Sequence, residues 1–363
     1  MRILQTISQL GNGGAEKLVV ELSNQLNRED DITLLSFRKV QDWMFFPKRL
    51  DKDIDLIELD KQKGFNPIFI YKLYKILKNK KPDIVHIHLI STLQYFMFLI
   101  PYFKNINFIY TIHNEFHSYD NTFKRLSRFW FFKRIKFVCL AENIESEYKN
   151  AFPELNFYTV YNGISKLKDS LYFHKVKEEV EKIRENQYNK IFIFIGRLAE
   201  EKNIPLLLDI FSNLENSKLL IIGKDTSEEL EFLSYINNNH ASNIFYLGAK
   251  ENIGDYIKSS DALVITSLHE GLPIVALEAL SLGVPILSTP VGSLRDLIKN
   301  WENGFLSKEI DKESYLKVVK LFLYLNKEEI NKIKKKNIEL FNKKYSIEIC
   351  TKNYKKIYIN GGL

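Results

Sequence analysis

Short apolar runs alternate with amphipathic runs along this chain, and the alternation occurs twice. Ile3–Ile7 is apolar and ends at a glycine cluster, Gly11, Gly13 and Gly14. Ala15–Leu26 follows with Leu18, Val19, Leu22 and Leu26 at helical spacing. Ile32–Phe37 and Ile54–Leu59 read as strands, and Ile68–Leu77 as an amphipathic helix stopped by Lys80-Lys81-Pro82. Ile84–His88, Phe108–Ile112 and Phe137–Leu140 are further strand-like runs, and Val160-Tyr161 closes the series. Ser165 to Lys190 is highly charged and reads as a linker with a leading helix. The second series comprises strands at Ile191–Ile195, Lys218–Ile222, Ile244–Leu247, Ala262–Ile265 and Pro285–Leu287. Helices at Ile204–Leu214, Glu228–Asn237, Asn252–Lys258 and Ile274–Leu282 separate them. Strands alternating with helices argue for parallel sheets with helices on both faces.

The expected fold class is therefore α/β with two Rossmann-like domains. Residues 1–164 form the first, 165–190 the linker and leading helix, and 191–345 the second. The Lys-rich tail, Lys327 to Tyr358, reads as helical, and about 346–363 is expected to pack back on the first domain. A chain of 363 residues exceeds what one core usually serves, which agrees with two domains. Leu89–Phe103 is the most apolar run, but Ser91, Thr92, Gln94 and Pro101 interrupt it; it reads as a buried core helix, too short to span a bilayer. Two cysteines, Cys139 and Cys350, make no disulfide framework, and no signal-peptide pattern opens the sequence. Both point to a cytoplasmic location. The net charge of +7 reflects a Lys-rich composition and by itself selects no partner.

Three motifs carry chemistry. Gly11-Asn12-Gly13-Gly14-Ala15-Glu16-Lys17 joins the first strand to the first helix. Glycines there let backbone N–H groups approach an anion at a helix N-terminus. A tight turn with no ligand would look the same, and the spacing is not that of a dinucleotide fingerprint. Gly196-Arg197-Leu198-Ala199-Glu200-Glu201-Lys202 follows the first strand of the second series. Arg as a planar fork and Lys as a point charge suit a pyrophosphate, unless Glu200 and Glu201 merely neutralise them. The third motif, His269-Glu270-Gly271-Leu272-Pro273-Ile274-Val275-Ala276-Leu277-Glu278, is the most specific. Glu270 falls in a loop and Glu278 on an apolar helix, so each can grip a different hydroxyl of a long ligand in one cleft. A carboxylate on such a helix is costly unless paired or bound. The plainer readings are a helix-cap residue for Glu270 and a buried ion pair for Glu278.

Together these segments resemble the retaining nucleotide-sugar glycosyltransferases of family 4. The resemblance rests on GNGGAEK, TIHN at Thr111–Asn114, YNGI at Tyr161–Ile164, GRLAEEKN at Gly196–Asn203 and FYLG at Phe245–Gly248. It continues through SLHEGLPIVALEALSLGVPIL at Ser267–Leu287, then TPVGSLRDLI and ENGFL, covering roughly residues 1–310. It implies the GT-B fold, two Rossmann-like domains with parallel sheets facing across a cleft. It implies that Arg197 and Lys202 bind the donor diphosphate, that Glu278 holds the nucleotide ribose, and that Glu270 lies at the donor sugar. Gly271, Leu272 and Pro273 match the loop whose amides approach sugar and phosphate. Gly14 matches the loop closing over the phosphates, Gly248 a strand end near the base, and His113 a histidine at the reaction centre. The chain departs from the family at Leu272-Pro273, where Phe-Gly is frequent, at Lys224-Asp225 after Gly223, and at Asn114, where an acid is frequent.

The implied activity is transfer of a sugar, UDP-linked as the first expectation, to a saccharide or lipid-linked saccharide with retention of configuration, in surface polysaccharide, capsule or O-antigen synthesis. No cofactor is expected, since cations and helix N-termini can stabilise the leaving diphosphate without a metal. Asp51, Asp53 and Asp55 form D-x-D pairs but read as solvated charge. His86 and His88 alternate along a strand and read as core or cleft lining rather than metal ligands, while His117 and His174 carry no case. Phe123–Phe137 (FKRLSRFWFFKRIKF) has six basic and no acidic residues; as a helix it would suit the inner face of an anionic membrane, or a packed helix with a wet basic side. The alternatives are a sugar-nucleotide epimerase or phosphorylase-like enzyme of the same fold, a dinucleotide-dependent oxidoreductase, and a basic nucleic-acid-binding module; for the last two no fingerprint is present, and nucleic acid is not an expected partner.

Overall fold

The protein is described by a computed structural model over residues 1–11, 13–42, 44–62, 64, 66–113, 120–212, 214–223 and 242–360, with only the backbone of 120–122 and 360. Two compact units divide the chain: Met1–Ser165 with Lys344–Leu363, and Lys166–Lys343. Asn114, Lys224-Asp225 and the helix expected at Glu228–Asn237 lie outside the described residues.

The first unit holds a seven-stranded parallel sheet. Its strands are β1 (Arg2–Ile7), β2 (Asp31–Ser36), β3 (Asp55–Glu58), β4 (Ile84–His88), β5 (Asn107–Ile112), β6 (Ile135–Cys139) and β7 (Asn156–Thr159). The spatial order is β3-β2-β1-β4-β5-β6-β7, so the connections reverse direction between β1 and β4. Helices α1 (Gly14–Leu26), α2 (Pro67–Lys80), α3 (Ile90–Phe96), α4 (Asp120–Ser127) and α5 (Glu142–Ala151) join them. Alternate strand residues feed two cores. Leu4, Val85, Ile87, Phe108 and Tyr110 face the core that includes Phe69, Leu73 and Ile144 of α2 and α5. Ile3, Ile7, Ile84 and Ile109 face α1 and the C-terminal helix, Ile347–Asn360. That helix is thus part of the first unit although the whole second unit precedes it in sequence.

The second unit repeats the plan with six strands: β8 (Lys190–Ile195), β9 (Ser217–Ile222), β10 (Ile244–Gly248), β11 (Ala262–Ile265), β12 (Ile286–Ser288) and β13 (Gly304–Leu306). The order β10-β9-β8-β11-β12-β13 puts its reversal between β8 and β11. Its helices include α6 (Phe173–Arg184), α7 (Ile204–Phe211), α8 (Ile253–Ser259) and α9 (Ile274–Leu282). The strands are apolar on both faces because helices cover both faces of a parallel sheet.

Several sequence expectations change. The first sheet closes at Asn156–Thr159 rather than at Val160-Tyr161. The run Leu89–Phe103 is not one helix: α3 ends at Phe96 and turns follow. Pro101 supplies no N–H and restricts the residue before it. The Arg134 guanidinium then takes the carbonyls of Ile100, Phe103 and Lys104 at 2.6, 3.1 and 3.1 Å. Phe123–Phe137 is not one helix either. It runs through α4, a 3-10 turn at Trp130–Arg134 and the start of β6. Phe123, Phe132 and Phe137 are buried and meet edge-on or tilted at 4.8–5.2 Å, so core packing, not amphipathic periodicity, sets this segment. The helical tail is split by a π-helical turn, Phe341–Tyr345, into two helices that serve different units.

Gly163 lets the C-terminal helix approach. A Cβ there would lie 2.5 Å from Cys350 Cβ and 2.6 Å from the Ser346 carbonyl oxygen. Backbone bonds on either side, Ile164 N to Tyr345 O at 3.1 Å and Ile347 N to Ile164 O at 2.9 Å, leave no room to give. Gly163→Ala should therefore cost roughly 2 kcal/mol or more of first-unit stability. Urea denaturation followed at the tryptophans would measure it, and an unchanged midpoint would contradict the close packing.

Candidate active site

In open α/β sheets ligands bind beyond the carboxyl ends of the strands, where the strand order reverses. In the second unit that point lies between the segments after β8 and β11, and the sequence motifs sit on both. After β8 the chain makes a 3-10 turn, Glu200–Lys202, and Asn203 takes a left-handed φ of 52° before α7 begins. Asn tolerates that conformation better than most residues. The turn is fastened to the segment after β11: Leu268 N donates to Glu201 O at 2.8 Å, and Thr266 Oγ1 donates to Lys202 O at 2.9 Å.

This fastening brings Lys202 and Glu270 together. Lys202 Nζ lies 2.5 Å from Glu270 Oε1, and Ser267 Oγ donates to the same oxygen at 2.8 Å. Both side chains are largely buried, at 20% and 12% exposure. Glu270 Oε2 and two of the three ammonium protons of Lys202 have no hydrogen-bond partner among the described residues. The pair therefore presents an acceptor and donors side by side. Glu270 does not cap the following helix: Pro273 holds the N-cap position of α9, with no side-chain cap bond. Arg197 lies 75% exposed, with Nη2 2.5 Å from Glu201 Oε1. It shares the loop with Lys202 but is held by Glu201 rather than by Glu270.

Gly271 is fixed by Ser293, whose N and Oγ both donate to its carbonyl, at 3.1 and 2.5 Å. Leu272 is buried and orders the turn into α9. Pro273 contributes no N–H, so the free amides at that helix start begin with Ile274. Glu278 lies one turn along α9, only 3% exposed, among Leu277, Ala279 and Leu280. Gly248 ends β10 at φ 67°, where the register with β9 shifts, and its carbonyl accepts from Gly223 N at 3.1 Å. The structure thus gathers Lys202, Glu270, Gly271, Leu272 and Pro273 at one end of the second sheet.

In the first unit the reversal lies between β1 and β4. Gly14 opens α1 just after β1, with Gly13 as N-cap and no side-chain cap bond. Leu89, which follows β4, is held at φ 68° and ψ 139°, a conformation favoured by glycine and costing a leucine roughly 1–3 kcal/mol. His113 follows β5, and its Nε2 lies 3.0 Å from His88 Nδ1. His86 and His88 are fully buried, and their rings are 4.1 Å apart. His88 Nε2 meets Gln5 Oε1 at 2.9 Å; His86 meets Tyr358 Oη at 2.8 Å and Thr111 Oγ1 at 2.7 Å. All four ring nitrogens of His86 and His88 are thereby occupied within the protein. Burial holds both histidines well below the usual imidazole range, helped by neighbouring imidazoles, and pushes His113 down to about 4.

Sequence reasoning missed Gln5, Tyr354 and Tyr358 in this cluster, and Ser267, Thr266 and Ser293 around Glu270. A signal existed for the first group. Gln5, His86, His88 and Thr111 interrupt apolar strands, and register puts Gln5 beside His86 and His88 beside Thr111 on one face of the sheet, while Tyr354 and Tyr358 are four apart on a helix. Asp51, Asp53 and Asp55 are exposed, and Asp55 pairs with Lys80 at 2.7 Å.

Comparison with known proteins now adds to this geometry. Residues 12–166 match the Glycosyltransferase Family 4 model, and 175–339 match the Glycosyl transferases group 1 model. The two matches together span nearly all of the chain, one in each half. An Escherichia coli UDP-Gal:alpha-D-GlcNAc-diphosphoundecaprenol alpha-1,3-galactosyltransferase is 26% identical over 297 residues, 75% of this chain and 72% of that protein. A Campylobacter jejuni GalNAc-alpha-(1->4)-GalNAc-alpha-(1->3)-diNAcBac-PP-undecaprenol alpha-1,4-N-acetyl-D-galactosaminyltransferase is 25% identical over 358 residues, 92% and 91% of the two chains. Alignments with the first curated relatives are shorter, spanning about half of those proteins or less (52% and 41%). Anabaena HepE, crystallised with UDP and glucose, superposes with a TM-score of 0.83 at 14% identity over 99% of this chain and 100% of its own. The fold is GT-B. The matches to both halves support a glycosyltransferase of the family-4 kind.

The buried histidines set a pH dependence. Their folded pKa values lie below the unfolded value of 6.5, so the unfolded chain takes up protons first as pH falls. The stability they confer is complete above pH 6.5 and is lost progressively as pH falls, for His113 toward about pH 4. Urea denaturation of the first unit should show this decline, with a shallower slope in His86→Gln. Equal slopes in the two proteins would contradict a buried neutral His86.

Proposed function

We propose that the protein transfers a sugar from a nucleotide-sugar donor, UDP-linked, to a saccharide or lipid-linked saccharide acceptor with retention of configuration, in surface-polysaccharide or glycan synthesis. The observation that carries this reading is the Lys202–Glu270 pair at the strand-order reversal of the second unit, with Glu278 buried one turn along the next helix. In this reading the second unit binds the donor and the first unit is the acceptor side. The two unused ammonium protons of Lys202, with Arg197 beside it, meet the diphosphate. Glu270 Oε2 accepts from sugar hydroxyls and Glu278 from the ribose. The Ile274 and Val275 amides add the positive end of α9.

The sugar C1–O bond to the diphosphate breaks while a bond from the acceptor oxygen to C1 forms on the same face. The acceptor hydroxyl proton passes to the departing phosphate oxygen. Charge builds on that diphosphate, and fixed cations stabilise it more in the transition state than in the ground state. The reading requires no metal, because Lys202 and Arg197 supply that charge. His113 lines the reaction centre. The matches in both halves favour this reading over the oxidoreductase and nucleic-acid alternatives, and the E. coli and C. jejuni relatives, whose names carry undecaprenol-linked acceptors, support the acceptor class.

A thermal-shift series with UDP, GDP, ADP and NAD, each with and without a chelator, tests the donor. UDP should raise the melting temperature equally in both conditions; a rise with NAD alone would overturn the reading. Lys202→Ala and Glu270→Gln should lower turnover of the accepted sugar nucleotide by about a hundredfold or more, as expected for groups that stabilise transition-state charge. Full activity in either variant would remove the assignment.

We also propose that the first unit touches the inner face of an anionic membrane. Exposed Phe129 and Trp130 sit among exposed Lys124, Arg125, Arg128 and Lys133. Among the described residues no helix is long and apolar enough to cross a membrane. Flotation with phosphatidylglycerol vesicles should recover the protein at low salt, and Phe129→Ser/Trp130→Ser should reduce recovery severalfold. Equal recovery on neutral phosphatidylcholine vesicles would contradict the charge contribution.

A further inference from the structure

The buried hydrogen bonds of the first unit form one connected path from the C-terminal helix to His113. Tyr358 Oη receives Gln5 Nε2 at 3.3 Å, and Gln5 Oε1 faces His88 Nε2 at 2.9 Å. His88 Nδ1 then faces His113 Nε2 at 3.0 Å. Tyr358 also feeds a second branch through His86 Nδ1 at 2.8 Å and His86 Nε2 to Thr111 Oγ1 at 2.7 Å. That branch ends at Tyr354 Oη, 3.0 Å from Thr111 Oγ1. Gln5, His86, His88, Thr111, Tyr354 and Tyr358 are all essentially sealed from solvent.

Each link fixes the direction of the next. The carbonyl oxygen of Gln5 can only accept, so His88 must carry its proton on Nε2. A sealed, neutral imidazole has one N–H, so His88 Nδ1 is an acceptor. His113 must then donate from Nε2, which leaves its Nδ1 as a bare lone pair. That nitrogen has no hydrogen-bond partner among the described residues. In the other branch Tyr358, which accepts from Gln5, keeps its own O–H to donate to His86 Nδ1, an arrangement that puts the His86 proton on Nε2, toward Thr111. Turning the Gln5 carboxamide over would reverse every donor on the path and put the His113 proton on Nδ1.

We infer that Gln5 and Tyr358 are positioning residues that hold His113 in its Nε2–H form, so that its Nδ1 lone pair accepts a hydrogen bond from a hydroxyl of the acceptor bound on the first unit. This rests on the reading of His113 as lining the reaction centre. The C-terminal helix, whose Tyr358 is linked to His113 through the path, thereby sets which atom of the histidine meets the substrate. The partner class is a hydroxyl donor; an anion would be repelled by the lone pair.

The test is the nitrogen-15 spectrum of histidine-labelled full-length protein near neutral pH, with the His113 signals identified by their loss in His113→Gln. Wild type should show the protonated nitrogen at Nε2 and an unprotonated Nδ1. Tyr358→Phe should shift His113 toward a mixture of the two tautomers, while Tyr354→Phe, an equal loss from the same helix on the other branch, should leave it in place. A His113 proton on Nδ1 in wild type would overturn the inference. So would an unchanged signal in folded Tyr358→Phe, or in Gln5→Leu should the tyrosine variant fail to fold. In the transfer assay Tyr358→Phe should lower kcat about fivefold or more with the donor KM unchanged. Absence of any transfer by wild type would refute the functional reading while the spectra still decide the tautomer.

Discussion

A buried polar group must find its partner inside the protein, and a buried chain of them must be complete or it is worse than none. The first unit is organised around this constraint. Its central strands carry Gln5, His86, His88 and Thr111 where apolar side chains would be cheaper. The phenols that close the path, Tyr354 and Tyr358, come from the C-terminal helix. The close approach at Gly163 and the backbone bonds around Ile164 bring those phenols into register.

The second unit uses the same sheet plan for a different kind of chemistry. Its reversal point carries full charges, Lys202, Glu270 and the more exposed Arg197, rather than neutral rings. An isolated ion of either sign in that position would be costly to desolvate, so the pair and Ser267 hold each other. Two sheets of one topology thus offer two environments: a sealed neutral one that resists protonation, and a part-buried ionic one suited to phosphate and hydroxyl groups. Topology chose where each site lies, and the loop residues chose what it can do.

The sheets and the ionic site were legible in the sequence because strand periodicity, glycine clusters and the HEGLPIVALE segment are local signals. What was not legible depended on contacts distant in sequence. Phe123–Phe137 has a basic, aromatic composition that reads as one helix, membrane-facing or packed with a wet basic side, yet Phe123, Phe132 and Phe137 are claimed by an aromatic core that includes Tyr148 and Phe157. Leu89–Phe103 reads as one helix, but Pro101 and the distant Arg134 make a turn of its second half. His86 and His88 read as core or cleft lining and are buried, but which groups they bond was not legible because their partners lie at positions 5, 111, 113 and 358. The helical tail was visible, but its π-helical break at Phe341–Tyr345 was not, since it marks a change of unit rather than a change of composition.

The C-terminal helix also imposes an order of events on synthesis. A ribosome makes the chain from its N-terminus, and domains generally fold as units while they emerge. Here the second unit, Lys166–Lys343, is complete before the first unit has its last helix. Until residues near Tyr358 emerge, the sheet made earliest waits with its polar face uncovered. A chain cut short within its last helix would therefore carry an intact second unit but an unfinished histidine path. Completion of the histidine site is in this way deferred until the second unit has been made.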